Sequence, residues 1–105
     1  MIKELPLWGN ETTSANPPRL LDRLTIACQR RHLSPRTAAS YRYWARQHIY
    51  FHGKRHPDLL GGADIEAFLN HLASVKRVSA STQSQALNAL LFLYQDVLKQ
   101  DIGQL

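Results

Sequence analysis

The sequence lacks the features of a secreted or membrane protein. Cys28 is the only cysteine among the 105 residues, so no disulfide can form within the chain and a reducing compartment is expected. No apolar run approaches the roughly 18 residues that a membrane span requires. The first ten residues also lack the continuous apolar stretch of a signal peptide. These absences favour a soluble, cytoplasmic protein with no membrane partner.

Motifs for catalysis and cofactor binding are equally scarce. The glycine pair at 61–62 is not followed by the lysine of a phosphate-binding loop, and no G-x-S-x-G turn presents a nucleophilic serine. Three histidines lie four residues apart (His48, His52 and His56), but a glycine and a proline interrupt this helix, and no acid or thiol nearby completes a tetrahedral zinc site. A structural or DNA-facing role for these histidines is favoured over metal binding. We therefore expect no catalytic residue, no metal and no cofactor.

Acidic residues are almost absent from one long stretch. Between Arg19 and Arg55 the chain has nine lysines and arginines against one acid, Asp22. From His56 to Leu105 it has three basic and five acidic residues, so the formal net charge of +5 is concentrated in the first half of the helical region. An ordinary solvated surface mixes both signs. Charge polarised in this way attracts a polyanion to one face and predicts a nucleic-acid partner.

Four segments have the apolar spacing of amphipathic helices, and no segment alternates like a strand. The predicted helices run from just after Pro18 to about His32, from Pro35 to about Gly53, from Asp64 to about Lys76, and from Ser81 or Thr82 to about Lys99. Ser34 and Ser81 are the predicted N-caps of the second and fourth helices. The sequence predicts an all-α fold: a compact four-helix domain over residues 19–102 that follows a flexible N-terminal arm, residues 1–18.

The starts of the second and fourth helices are rich in side chains that suit nucleic acid. Serine, threonine and glutamine at a helix N-terminus can contact phosphates or enter a groove, and nearby arginines and lysines add a salt-sensitive attraction. The alternative interpretation is that Ser34 and Ser81 are helix caps and nothing more, and that the glutamines are simply exposed. For each residue alone, both interpretations stay open.

Four segments of the chain resemble the N-terminal core-binding domain of tyrosine recombinases, specifically of integron integrases. They are SPRT with the following Tyr41 (34–41), FHGKRHP (51–57), IEAFLNHLA (65–73) and ASTQSQALNALLFLY (80–94). The resemblance covers about residues 20–102. It implies a SAM-like helical domain that binds recombination-site DNA as one half of a clamp.

In the resembled family, the other half of the clamp is a C-terminal domain with the catalytic arginines, a His-x-x-Arg motif and the nucleophilic tyrosine. That domain has no counterpart in these 105 residues. We therefore expect that the chain is not an enzyme by itself, and that residues 103–105 begin the linker to the absent catalytic domain.

The resemblance also implies partners: double-stranded DNA of a recombination site, and other recombinase protomers assembled on it, with the isolated domain monomeric. Basic residues would mainly hold phosphates, and Thr82 and the glutamines would reach base edges. The candidate contacts are Arg36, Thr37, Ser40, Arg42, Lys54, Arg55, Lys76, Arg77, Thr82, Gln83 and Gln85. Two alternatives stay open: a helical protein-interaction module, and a stand-alone nucleic-acid-binding domain without a role in recombination.

Overall fold

Four α-helices form the fold in the computed structural model, which describes residues 17–103. The helices are α1 (Pro17–Arg30), α2 (Pro35–Phe51), α3 (Gly62–Ser74) and α4 (Ala80–Phe92). A 3₁₀ turn, Pro57–Leu59, lies between α2 and α3, and α4 continues into a wider π turn, Leu93–Val97. The described part contains no strand, which confirms the all-α, four-helix prediction. Most of the predicted arm lies outside the described residues; its last two residues, Pro17 and Pro18, already belong to α1.

The start of α2 is where the sequence predicted it. The Oγ of Ser34 accepts a hydrogen bond from the N–H of Thr37 at 3.1 Å and donates one to the Oγ1 of Thr37 at 3.0 Å. Pro35 takes the first helical position, where its missing N–H costs nothing. A cap of this kind is worth about 1 kcal/mol, so the N-terminus of α2 is held firmly.

The predicted cap of α4 is wrong, because Ser79 caps this helix and Ser81 lies inside its first turn. Ser79 has an extended backbone, and its Oγ accepts from the N–H of Thr82 at 3.1 Å and donates to the Oγ1 of Thr82 at 3.0 Å. A cap must lie just outside the helix, with its side chain near the N–H group three residues later. Ser79 and Thr82 satisfy that spacing, as Ser34 and Thr37 do, so α4 begins at Ala80.

Helix α3 begins and ends two residues before its predicted limits. Its first turn is fixed by Asp64, whose Oδ2 accepts a hydrogen bond from the N–H of Gly61 at 2.8 Å. The α-helix ends at Ser74, and Arg77 has a positive φ of 55°, which an α-helix does not contain. Lys76 and Arg77 therefore lie in the link to α4. Both cations are exposed in this link.

The core lies between α4 and the three other helices. Helix α4 packs against α2 and α3, and its π turn packs against α1. Leu90, Leu93 and Tyr94 are fully buried, so this helix is the central one of the bundle. From α1 and α2 the core receives Leu20, Leu21, Leu24, Cys28, Ala38, Trp44, Ala45 and Ile49. Burial of these side chains fixes the relative positions of α2 and α4, which form the candidate site.

Candidate nucleic-acid interface

A groove of about 340 Å³ lies between the N-terminal half of α2 and the exposed face of α4. Its lining residues are Arg36, Thr37, Ser40 and Tyr41 from α2, and Gln85 and Asn88 from α4. The rings of Tyr41 and Phe92 pack 5.3 Å apart and join the two helices beneath these polar side chains. Four of the predicted contacts (Arg36, Thr37, Ser40 and Gln85) therefore meet in one place. We call this the α2–α4 groove.

The α2–α4 groove has a positive character because Arg36 is the only charged residue in its lining. Arg36 is exposed, and no described residue forms an ion pair with its guanidinium. The other lining groups are hydroxyls and amides. A cation beside neutral donors and acceptors suits a phosphate backbone with base edges next to it.

Arg42, a predicted contact, makes hydrogen bonds within the fold. Its Nη1 donates to the backbone oxygen of Leu21 at 3.0 Å and to the Oγ1 of Thr25 at 2.8 Å, and lies 3.8 Å from a carboxylate oxygen of Asp22. These bonds tie α2 to α1. A guanidinium has five N–H donors, so Arg42 holds the two helices together and keeps further donors for another partner.

Gln83 is likewise engaged inside the fold. Its Nε2 donates to the backbone oxygen of Leu69 at 3.1 Å and thereby joins α4 to α3. Thr82 lies one residue earlier, and its hydroxyl accepts the hydrogen bond from the Ser79 cap. Neither residue lines the α2–α4 groove, so of the three predicted base-reading residues only Gln85 lies there.

The remaining predicted cations lie away from the α2–α4 groove. Lys54 and Arg55 follow the C-terminus of α2, and the 17 residues of this helix place them about 25 Å from its start. The Nζ of Lys54 lies 5.9 Å from the centroid of the Tyr50 ring, and Lys76 lines a second groove, of about 230 Å³, together with that tyrosine. Lys54 and Lys76 therefore form a second basic region, beside Tyr50, while Arg77 is exposed in the neighbouring link.

The three histidines have separate partners. His48 is fully buried, with its Nε2 3.2 Å from the Tyr94 hydroxyl and its Nδ1 without a partner. His52 has its Nε2 2.9 Å from the backbone oxygen of Asp64. The Nδ1 of His56 accepts from the N–H of Asp58 and lies 2.8 Å from its carboxylate. Across residues 17–103, no three histidine, cysteine or acidic side chains come together in an arrangement that could hold a metal ion.

Burial controls the titration of the His48–Tyr94 pair. Desolvation, followed by the charge of the nearby His52, lowers the pKa of His48 to about 4, although Asp64 acts in the opposite direction. Burial also raises the pKa of the Tyr94 hydroxyl, as do Asp64 and Asp58. Both side chains are therefore neutral near pH 7. The pair belongs to the core.

Asn88 is a groove residue that the sequence interpretation missed. It lies three residues after Gln85 on the exposed side of α4, and neither amide makes a hydrogen bond to any described residue. The signal was available, because residues three apart share one face of a helix.

Within the described range, no helix is long and apolar enough to cross a membrane.

Comparison with known proteins gives two consistent results. Residues 20–104 match the family model described as phage integrase, N-terminal SAM-like domain. Two curated relatives described as integrase/recombinase, from Escherichia coli and Pseudomonas aeruginosa, are each 46% identical over 94 residues. The match covers 86% of this chain but only 28% of each relative, so the chain spans little more than a quarter of their length.

Proposed function

The chain belongs to the family of phage integrase N-terminal SAM-like domains, and on that premise we propose that it is the DNA-binding N-terminal domain of a site-specific tyrosine recombinase of the integron integrase type. It binds double-stranded recombination-site DNA as one half of a clamp. Strand cleavage is not performed by these residues alone, and other recombinase protomers are its partners on the DNA. Because its proposed ligand is DNA, we expect the domain in the cytoplasm.

One observation carries the proposal: Arg36, Thr37, Ser40 and Gln85 line the same groove. These are four of the residue types that contact phosphates and base edges in protein–DNA complexes. Two well-capped helices hold them, so the groove is formed before any ligand binds. Preformed geometry reduces the ordering cost of binding.

The second basic region supports the same proposal. Lys54 and Lys76, beside Tyr50, lie near the end of α2 that is opposite the α2–α4 groove. Double-stranded DNA carries negative charge along its whole length, about one per 1.7 Å of axis. A duplex that follows α2 would therefore meet cations at both ends of this helix.

Titration of a labelled duplex at about 50 and 200 mM salt tests the proposal. We expect weak binding that falls with salt, with a slope of log K against log salt of about −0.9 for each phosphate contact. Arg36→Ala should reduce the magnitude of that slope by about 1. Arg30→Ala is the matched control, since this exposed arginine lies on α1, outside the α2–α4 groove, and should keep the slope closer to that of the unchanged chain. Absence of binding even at 50 mM salt would refute the proposal.

A second candidate function, a helical protein-interaction module, is favoured by three exposed apolar side chains. Leu59, Val75 and Tyr43 are 68%, 64% and 54% exposed. They lie on three separate elements, the 3₁₀ turn, the link after α3, and α2, and are open to contact by another protein. A chain that does not bind duplex at low salt but self-associates in analytical ultracentrifugation would favour this function over the first.

A further inference from the structure

We infer that Gln85 and Asn88 act as a pair that reads base sequence in the α2–α4 groove, and that the bases they prefer are adenines. This inference rests on the proposed function, because it names which bases the groove selects. It assigns to Asn88 a role that the sequence interpretation did not give it. It also removes Gln83 from the base-reading set.

The hydrogen-bonding state of the amides separates these residues. The Nε2 of Gln83 donates to Leu69 on α3, and the Nε2 of Gln100 donates to Leu60, so both amides are used to hold elements together. Gln85 and Asn88 are exposed, line the groove, and make no hydrogen bond to a described residue. Their donors and acceptors are therefore available to a ligand without the loss of an internal bond.

Helix α4 holds the two amides at a defined spacing. Residues three apart lie on one face of a helix and are separated by about 4.5 Å of rise. On the side of α4 that faces the core, Ala86, Ala89 and Leu90 are fully buried, so the helix cannot rotate to move the pair away from the groove. Successive bases on one strand lie about 3.4 Å apart. Two side chains of different length at this spacing can reach neighbouring base pairs.

The chemistry of the amide selects the base. A carboxamide presents one acceptor and one NH₂ donor side by side, and adenine presents the matching N6–H₂ donor and N7 acceptor in the major groove. Guanine presents two acceptors there and leaves the amide oxygen unpaired. On the facing wall, Arg36, Thr37 and Ser40 supply the cation and hydroxyls that contact the backbone. Binding strength and base preference are thus divided between the two helices.

The test is selection of binding sequences from a randomised duplex pool at low salt, by the full 105-residue chain and its variants. We expect the unchanged chain to enrich adenine at two neighbouring or next-neighbouring positions. Asn88→Ala and Gln85→Ala should each remove the preference at one of them, by about 5- to 150-fold in the ratio of bound adenine to guanine. Asn70→Ala and Gln95→Ala are matched controls, because they remove exposed amides outside the groove and should leave the enriched sequence unchanged.

The outcomes distinguish this inference from the proposed function. Binding with an enriched sequence that neither Asn88→Ala nor Gln85→Ala alters would overturn the inference while the DNA-binding function stands. Enrichment of guanine at the affected positions, or no enrichment at all, would overturn it in the same way. Failure of every variant and of the unchanged chain to retain any duplex would refute the proposed function itself, and the inference with it.

Discussion

Acid should destabilise this domain through one side chain, His48. Burial lowers the pKa of this ring from its ordinary value of 6.5 to about 4. In the unfolded chain the ring returns to water and is protonated below about pH 6.5. Between pH 6.5 and pH 4 the unfolded state therefore holds a proton that the folded state does not. Because excess protons on the unfolded state favour unfolding, the free energy of unfolding falls as the pH drops through this window.

The expected loss of unfolding free energy is large. A fall in pKa from 6.5 to about 4 corresponds to about 3 kcal/mol when the window has been crossed. The total stability of a domain is about 5–15 kcal/mol. The Tyr94 hydroxyl, 3.2 Å from Nε2, can accept from one ring nitrogen only, and Nδ1 has no partner to stabilise a second proton.

Urea unfolding followed by circular dichroism, at several pH values between 7 and 4, measures the effect. His48→Gln keeps an amide that can bond to Tyr94 but does not titrate, so its stability should fall by about 3 kcal/mol less over this range than that of the unchanged chain. His32→Gln, which removes an exposed histidine in place of the buried one, is the matched control. Parallel pH dependences for His48→Gln and the unchanged chain would show that the buried ring is not the source of acid sensitivity.

Two further predictions concern the residues that hold the α2–α4 groove. Ser34→Ala and Ser79→Ala should each lower the free energy of unfolding by about 1 kcal/mol, since each removes a helix cap. Urea unfolding measures this change, and a value below about 0.3 kcal/mol for both variants would contradict the cap assignment. Arg42→Met should cost about 1–2 kcal/mol of stability through lost hydrogen bonds to α1, whereas Arg36→Ala should weaken duplex binding with little loss of stability. Loss of stability in Arg36→Ala together with weakened duplex binding but unchanged stability in Arg42→Met would contradict this assignment.

The sequence predicted the start of a helix correctly where only one residue was a candidate for the N-cap. Ser34, Pro35 and Thr37 form a start signal with one interpretation, and the structure confirms it. At α4, serines at 79 and 81 compete, and the interpretation that chose Ser81 overlooked the Thr82 that repeats the Ser34–Thr37 spacing. The limits of α3 and the π turn after Phe92 depend on tertiary packing, which periodicity does not report.

The candidate site was only partly predictable, for a physical reason. Whether a polar side chain is available to a ligand depends on neighbours that are distant in the sequence. Nothing near Arg42 in the chain indicates that Leu21 will accept its hydrogen bond, and nothing near Gln83 indicates Leu69. Asn88, by contrast, follows from helical spacing once Gln85 is chosen. The role of these residues as DNA contacts stays a prediction.

The π turn at the end of α4 determines the direction in which the backbone leaves the bundle. The N–H of Leu98 bonds to the oxygen of Leu93, five residues earlier, so this turn contains one residue more than an α-helical turn. The Nη2 of Arg23 on α1 donates to the oxygen of Val97 at 2.9 Å and holds the widened turn in place. Deletion of a single residue here would tighten the turn, rotate everything that follows by about 100°, and withdraw that oxygen from Arg23. The number of residues in this turn therefore determines the direction in which the following backbone points.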